Sequence, residues 1–200
     1  MRLFVLARHG ESVLNIELRV NGDPRVGVPL TPLGESQARS LGEQVANLPL
    51  DVCVHTTFGR SHATAHLAIG GRGVPFLEQA LLDDVKIGEL EGCTIEQYRD
   101  WKSRHTRSDR FPDGESLDEA ALRYAAGFEW VLRLPHQSVL VVTHEIAVRY
   151  AVNAGAGSST LDGPVHDIRN CTPYLFDERA LQHAVARMRE LSRPLQSSRA

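Results

Sequence analysis

The chain has 200 residues, a formal net charge of −3 and a hydrophobic fraction of 42%. That is enough apolar material for one domain over residues 1–200, and it lacks the basic excess of a nucleic-acid binder. No apolar run approaches the roughly 20 residues needed to span a bilayer, so no membrane partner is expected. The three cysteines, Cys53, Cys93 and Cys171, form neither a CxxC pair nor a zinc spacing, and the nine histidines form no HExxH pattern. No metal or other cofactor is therefore expected, and the thiols read as reduced side chains of a cytoplasmic protein.

Residues 2–7 contain the apolar run Leu3-Phe4-Val5-Leu6-Ala7, which reads as a buried strand ended by a sharp turn at Arg8-His9-Gly10. The N-terminal stretch is too short for a signal peptide. Residues 21–34 are rich in Gly and Pro and read as an irregular loop. Thr31 then caps a helix with Pro32 as its first residue, and helical spacing continues through Ala38, Leu41, Val45 and Leu48. Residues 51–55 form a second strand, 59–69 a helix and 74–77 a short third strand, while 82–92 are irregular. Helices are expected at about 94–105 and 116–134, a fully apolar strand at 138–143 and a helix from about 145 to 154. Residues 171–176 and 181–187 read as a final hairpin at the sheet edge, and residues from about 192 to 200 as a flexible polar tail. Strands alternating with helices imply a mostly parallel sheet covered on both faces, an α/β/α sandwich.

The chemistry gathers at strand ends, where ligands bind in such sheets. Arg8 offers a bidentate fork for phosphate, and a neutral His9 can attack phosphorus as a nucleophile. His144 ends the strand 138–143 much as His9 ends the first. Arg60 lies near a helix start, where backbone N–H groups also favour an anion. Asn15 can donate an amide hydrogen to the same anion.

These pieces recur in one order. Arg8-His9-Gly10-Glu11-Ser12 with Asn15 comes first, then Pro29-Leu30-Thr31-Pro32-Leu33-Gly34 and Thr56-Thr57-Phe58-Gly59-Arg60. Gly88-Glu89-Leu90-Glu91-Gly92, Pro112-Asp113-Gly114-Glu115-Ser116, Thr143-His144 with Arg149, and Asn170 follow. Over roughly residues 2–176 the chain resembles the histidine phosphatase superfamily, which includes the cofactor-dependent phosphoglycerate mutases. The resemblance implies a phosphoglycerate mutase-like fold and a metal-independent phosphomonoester hydrolase working on a small phosphorylated substrate. It implies that His9 becomes phosphorylated, that Arg8, Asn15, Arg60 and His144 hold the phosphoryl oxygens, and that Asp84 is the general acid. His144 is expected to be protonated, and the second ring nitrogen of His9 to bond a backbone carbonyl. The oligomeric state is open, a homodimer included.

Three features depart from the family pattern. Asp84 stands where many members have Glu, with Asp83, Glu89 and Glu145 as rival acids. Glu145 follows the second histidine, where Gly is usual; its backbone N–H is expected at the phosphate and its carboxylate at the rim or in solvent. His55 replaces a common Ser and is likewise expected to face solvent. Between Gly92 and Pro112 the chain lacks the longer basic insert of the mutases, which favours hydrolysis over phosphoglycerate mutation. A catalytically weak binding protein is disfavoured because Arg8, His9, Arg60 and His144 are all present. Arg99, Lys102, Arg104, Arg107 and Arg110 nevertheless make this segment basic, with a solvated face expected for most of them.

Overall fold

The computed structural model describes residues 2–192. Its five strands are β1 (Leu3–Arg8), β2 (Val52–His55), β3 (Phe76–Glu78), β4 (Ser138–Thr143) and β5 (Tyr174–Asp177), in the sheet order β3-β2-β4-β1-β5. All neighbours pair in parallel except β5, which runs antiparallel to β1 at the edge. The helices are α1 (Val13–Ile16), α2 (Pro32–Gln44), α3 (Gly59–Ile69), α4 (Ile95–Ser103), α5 (Leu117–Arg133), α6 (Glu145–Gly155) and α7 (Glu178–Leu191).

Strand alternation sends side chains to two cores. Val5, Ala7, Cys53, Leu140 and Val142 pack with Ala38, Leu41 and Ala65 of α2 and α3. Phe4, Leu6, Val54, Val139 and Val141 pack on the other face with Tyr124, Phe128, Ala151 and Met188 of α5, α6 and α7. This is a three-layer α/β/α sandwich. Thr31 caps α2 through Gly34 N at 3.0 Å, but α2 stops at Gln44, a turn before Leu48.

The chain leaves β1 toward the α2 face and leaves β4 toward the α6 face. The neighbouring strands β1 and β4 therefore open a crevice at their carboxyl ends, the usual ligand position of an open α/β sheet. Their register pairs Arg8 with Thr143. The next residues, His9 and His144, consequently emerge at the same edge.

The expected hairpin at 171–187 is half right. Residues 174–177 are strand β5, but 181–187 lie in α7. Asp177 accepts from Ala180 N at 2.7 Å and starts that helix. Leu181, Ala184, Val185 and Met188 then recur at helical spacing and are buried. The expected tail lies outside the described residues except for Ser192, which is buried.

Candidate active site

A cavity of about 370 Å³ opens over the crevice and is lined by Arg8, His9, Asn15, Arg60, Asp84 and Glu145, with Arg19, Arg99, Lys102, Arg149 and His166 also contributing. It thus gathers the residues assigned catalytic or phosphate-binding roles from sequence except His144, which lies buried directly behind Arg60 and Asp84.

The turn that presents His9 depends on close backbone packing. A Cβ on Gly10 would lie 2.4 Å from the Gly34 carbonyl oxygen, and one on Gly34 would lie 2.0 Å from that of Glu11. Glycine at both positions lets the α2 N-terminus abut the strand-end loop. Asn170 Nδ2 holds the His9 carbonyl at 2.7 Å, and Thr64 Oγ1 accepts from Gly10 N at 3.0 Å.

Two neighbours define the tautomer of His9. The Gly10 carbonyl, 2.7 Å from Nδ1, can only accept, so Nδ1 carries the hydrogen. Nε2 then holds its lone pair and accepts from Arg60 Nε at 3.0 Å. Burial, with Arg60 and Arg8 adding to it, lowers the pKa of His9 well below 6.5. The ring is neutral at physiological pH, as a nucleophile requires.

The protonated His144 expected beside a phosphoryl group has protein surroundings that by themselves favour the neutral ring. Burial first, then the charge of Arg60, lowers its pKa well below 6.5. Arg60 Nη2 lies 3.3 Å from Nδ1 and can only donate, so Nε2–H donates to Thr56 Oγ1 at 3.0 Å. Phe58 packs edge-on against this ring at 4.6 Å and beneath Arg60 at 4.4 Å. An entering anion would supply the missing favourable charge.

Arg60 is held from several sides. It bonds the Asn21 side chain through Nη1, the Asn21 carbonyl at 3.2 Å through Nη2, and Asp84 at 3.1 Å. Asn21 is in turn fixed by Glu91, which accepts from its Nδ2 at 2.6 Å and from Gly22 N and Asp23 N at 2.7 and 3.0 Å. Sequence reasoning assigned no role to Asn21 or Thr56. Glu91 was visible only as part of the Gly-Glu-Leu-Glu-Gly piece.

Burial raises the carboxyl pKa of Asp84, although Arg60 opposes the shift. Its loop is clamped by α5: Arg123 donates to the Asp84 carbonyl at 3.0 Å and to Glu115 Oε2 at 3.1 Å, and Glu115 accepts from Lys86 N at 2.9 Å. The rival Asp83 turns away from the cavity and binds Thr57 N and Oγ1 at 2.9 and 2.6 Å. Glu89 does not line the cavity.

Asn15 accepts from Ser12 N and Oγ through Oδ1, leaving its amide hydrogens for the cavity. The Glu145 side chain lines the cavity and is 37% exposed, in keeping with a rim position, and its carboxylate lies 3.0 Å from Arg8 and 3.5 Å from Arg149, because two guanidinium groups flank the start of α6. His55, expected to face solvent, is instead buried, since β2 is covered on both faces; its Nδ1 donates to the Thr56 carbonyl at 2.8 Å. Of the basic segment, Arg99 and Lys102 line the cavity. Arg104, Arg107 and Arg110 pair with Asp100, Asp118 and Glu119. Among the described residues, no group of three or more His, Cys, Asp or Glu side chains is arranged to hold a metal ion.

A family model described as the histidine phosphatase superfamily (branch 1) matches residues 4–190. A protein named "Probable phosphoglycerate mutase GpmB" from Citrobacter koseri is 33% identical over 175 residues, covering 84% of this chain and 80% of the relative. The solved structure of Bacillus stearothermophilus YhfR aligns with a TM-score of 0.75 at 25% identity, covering 88% of this chain and 90% of that one. The alpha-ribazole phosphatase from Shigella flexneri shares the fold, with a TM-score of 0.74 at 21% identity over 88% of this chain and 90% of its own.

Proposed function

Because the chain belongs to the histidine phosphatase superfamily, we propose that it hydrolyses small phosphomonoesters through a phosphohistidine formed on His9. The observation that carries this reading is the tautomer of His9: Nδ1 tied to Gly10 O and Nε2 facing Arg60. In the first step the Nε2 lone pair forms the N–P bond while the ester P–O bond breaks. Asp84, whose carboxyl pKa burial raises, is the acid that gives its proton to the departing alkoxide. In the second step Asp84 takes a proton from water, the oxygen attacks phosphorus, the N–P bond breaks and orthophosphate leaves.

Arg8, Arg60, Asn15 and His144 hold the phosphoryl oxygens, with the Glu145 backbone N–H beside them. Their role is to meet spread negative charge with donors already in place, the main catalytic lever in phosphoryl transfer. Arriving phosphate takes Arg60 off the His9 lone pair, so binding and nucleophile release are one exchange. His144 gains a proton, or shares one, once the dianion lies beside it. The three free cysteines suit a reducing, cytoplasmic setting.

His9→Ala should abolish hydrolysis of a small aryl phosphate while the circular dichroism stays native. Retained turnover would overturn the assignment. A second reading, phosphoglycerate mutation, is favoured by the name of the bacterial relatives and by Arg99 and Lys102 at the cavity. Incubation with 3-phosphoglycerate and a bisphosphoglycerate primer separates the two: isomer without free phosphate means mutase, free phosphate means phosphatase.

A further inference from the structure

Both guanidinium groups of the proposed phosphate cradle carry a carboxylate of the protein itself. Arg60 meets Asp84 at 3.1 Å, and Arg8 meets Glu145 at 3.0 Å. The two pairs are not equivalent. Asp84 is the group that must reach the leaving oxygen. Glu145 has no step in the proposed chemistry, yet it sits on the strand-end arginine.

Arg8 has few other partners. Its Nη1 also donates to the Ile168 carbonyl at 2.9 Å, and its Nε is buried without a partner. The carboxylate is not locked in place. The Glu145 side chain is 37% exposed, and its Oε1 already lies 3.5 Å from Nη1 of Arg149 one helical turn on. Arg149 is additionally anchored by Asp162 at 3.4 Å. A small rotation would exchange one guanidinium for the other while the backbone N–H of Glu145 stays at the helix start, where an anion is favoured.

Resting on the phosphatase reading, we infer that Glu145 is an internal anion that competes for Arg8 and yields to Arg149 when a phosphoryl group enters, so that it weakens the hold on orthophosphate. A phosphoryl dianion on Arg8 remains within a few ångströms of the displaced carboxylate, and like charges at that range repel appreciably at protein-like dielectric. An ester offsets the repulsion through its leaving group, which can contact the Arg99 and Lys102 side of the cavity. Orthophosphate has no such group. Glu145 therefore discriminates between ester and product and speeds product departure.

The test titrates orthophosphate calorimetrically into the wild type, Glu145→Gln and Glu145→Ala, each checked for native circular dichroism. Both variants should bind orthophosphate on the order of tenfold tighter, with product inhibition of aryl phosphate hydrolysis tightening by a similar factor. Equal or weaker binding in both variants overturns the inference. The affinity order is read without turnover, so it stands apart from the covalent chemistry. A wild type that binds orthophosphate but never forms phosphohistidine would break the proposed function alone.

Discussion

The floor and the mouth of the cavity are built by different rules. On the floor, His9, Arg60 and His144 are buried and each is held by several partners from distant parts of the chain. At the mouth, Arg99 and Lys102 project from the nine-residue helix α4, and neither makes an ion pair among the described residues. On the proposed function, the floor is thus pre-organised for a group of fixed shape, a tetrahedral phosphoryl unit. The mouth is left adaptable, where the leaving alcohol differs between substrates.

The sharpest test of that division is Asp84, which stands at the boundary. Asp84→Asn should slow alkyl phosphates by about 10²–10⁴-fold, the usual range for a lost general acid. Aryl phosphates with good leaving groups should suffer far less in the phosphorylation step. Parallel kinetics with p-nitrophenyl phosphate and an alkyl phosphate check this. Equal losses in a burst-phase measurement would move the acid to another residue and erase the boundary.

A second test uses stability instead of rate. Both floor histidines have folded pKa values well below 6.5, so the unfolded chain binds protons first as pH falls. Their contribution is fully present above about pH 6.5 and drains below it, by up to about 1.4 kcal/mol per pH unit for each ring. Asp84 has a raised pKa and works with the opposite sign, because the folded chain takes its proton first. The unliganded protein should therefore lose thermal stability below about pH 6.5, and Asp84→Asn should lose it more steeply. Melting curves between pH 7.5 and 5 read both slopes. A flat profile in both proteins would mean that the rings are not held neutral.

The same contrast explains what could be read in advance. The floor was legible because its residues follow apolar strands: Leu3–Arg8 ends in His9, and Ser138–Thr143 ends in His144. A parallel sheet then brings their ends together. The supports were not legible. Asn21 reaches Arg60 and Glu91 across separations of 39 and 70 residues, and Arg123 clamps the Asp84 loop from 39 residues away. Polar contacts of that range leave no periodic trace. The surroundings of His144 were not legible either: its expected protonation rests on the phosphate, whereas the fold sets Arg60 directly beside the ring. Glu145 was legible as a rim residue but not in its partners: helix position says where a side chain starts, not which of two guanidinium groups it meets. The 181–187 segment shows the limit of short apolar runs, where cap and helical spacing outweighed apparent strand character.

The smallest expected effect belongs to the mouth. Lys102 lines the cavity with its Nζ 5.6 Å above the Tyr98 ring, and burial lowers its pKa while Asp162 pulls it upward. The Tyr98 hydroxyl nearby is buried without a partner. On the proposed function, a cation at the mouth is placed to meet the leaving group instead of the phosphoryl oxygens. Lys102→Met should accordingly raise KM for phosphomonoesters bearing a distal carboxylate or phosphate by roughly tenfold, one half-buried charge-assisted contact. It should leave kcat, and both constants for an uncharged aryl phosphate, within about twofold. If kcat falls for every substrate, Lys102 acts on the phosphoryl group itself, and floor and mouth are one machine instead of two.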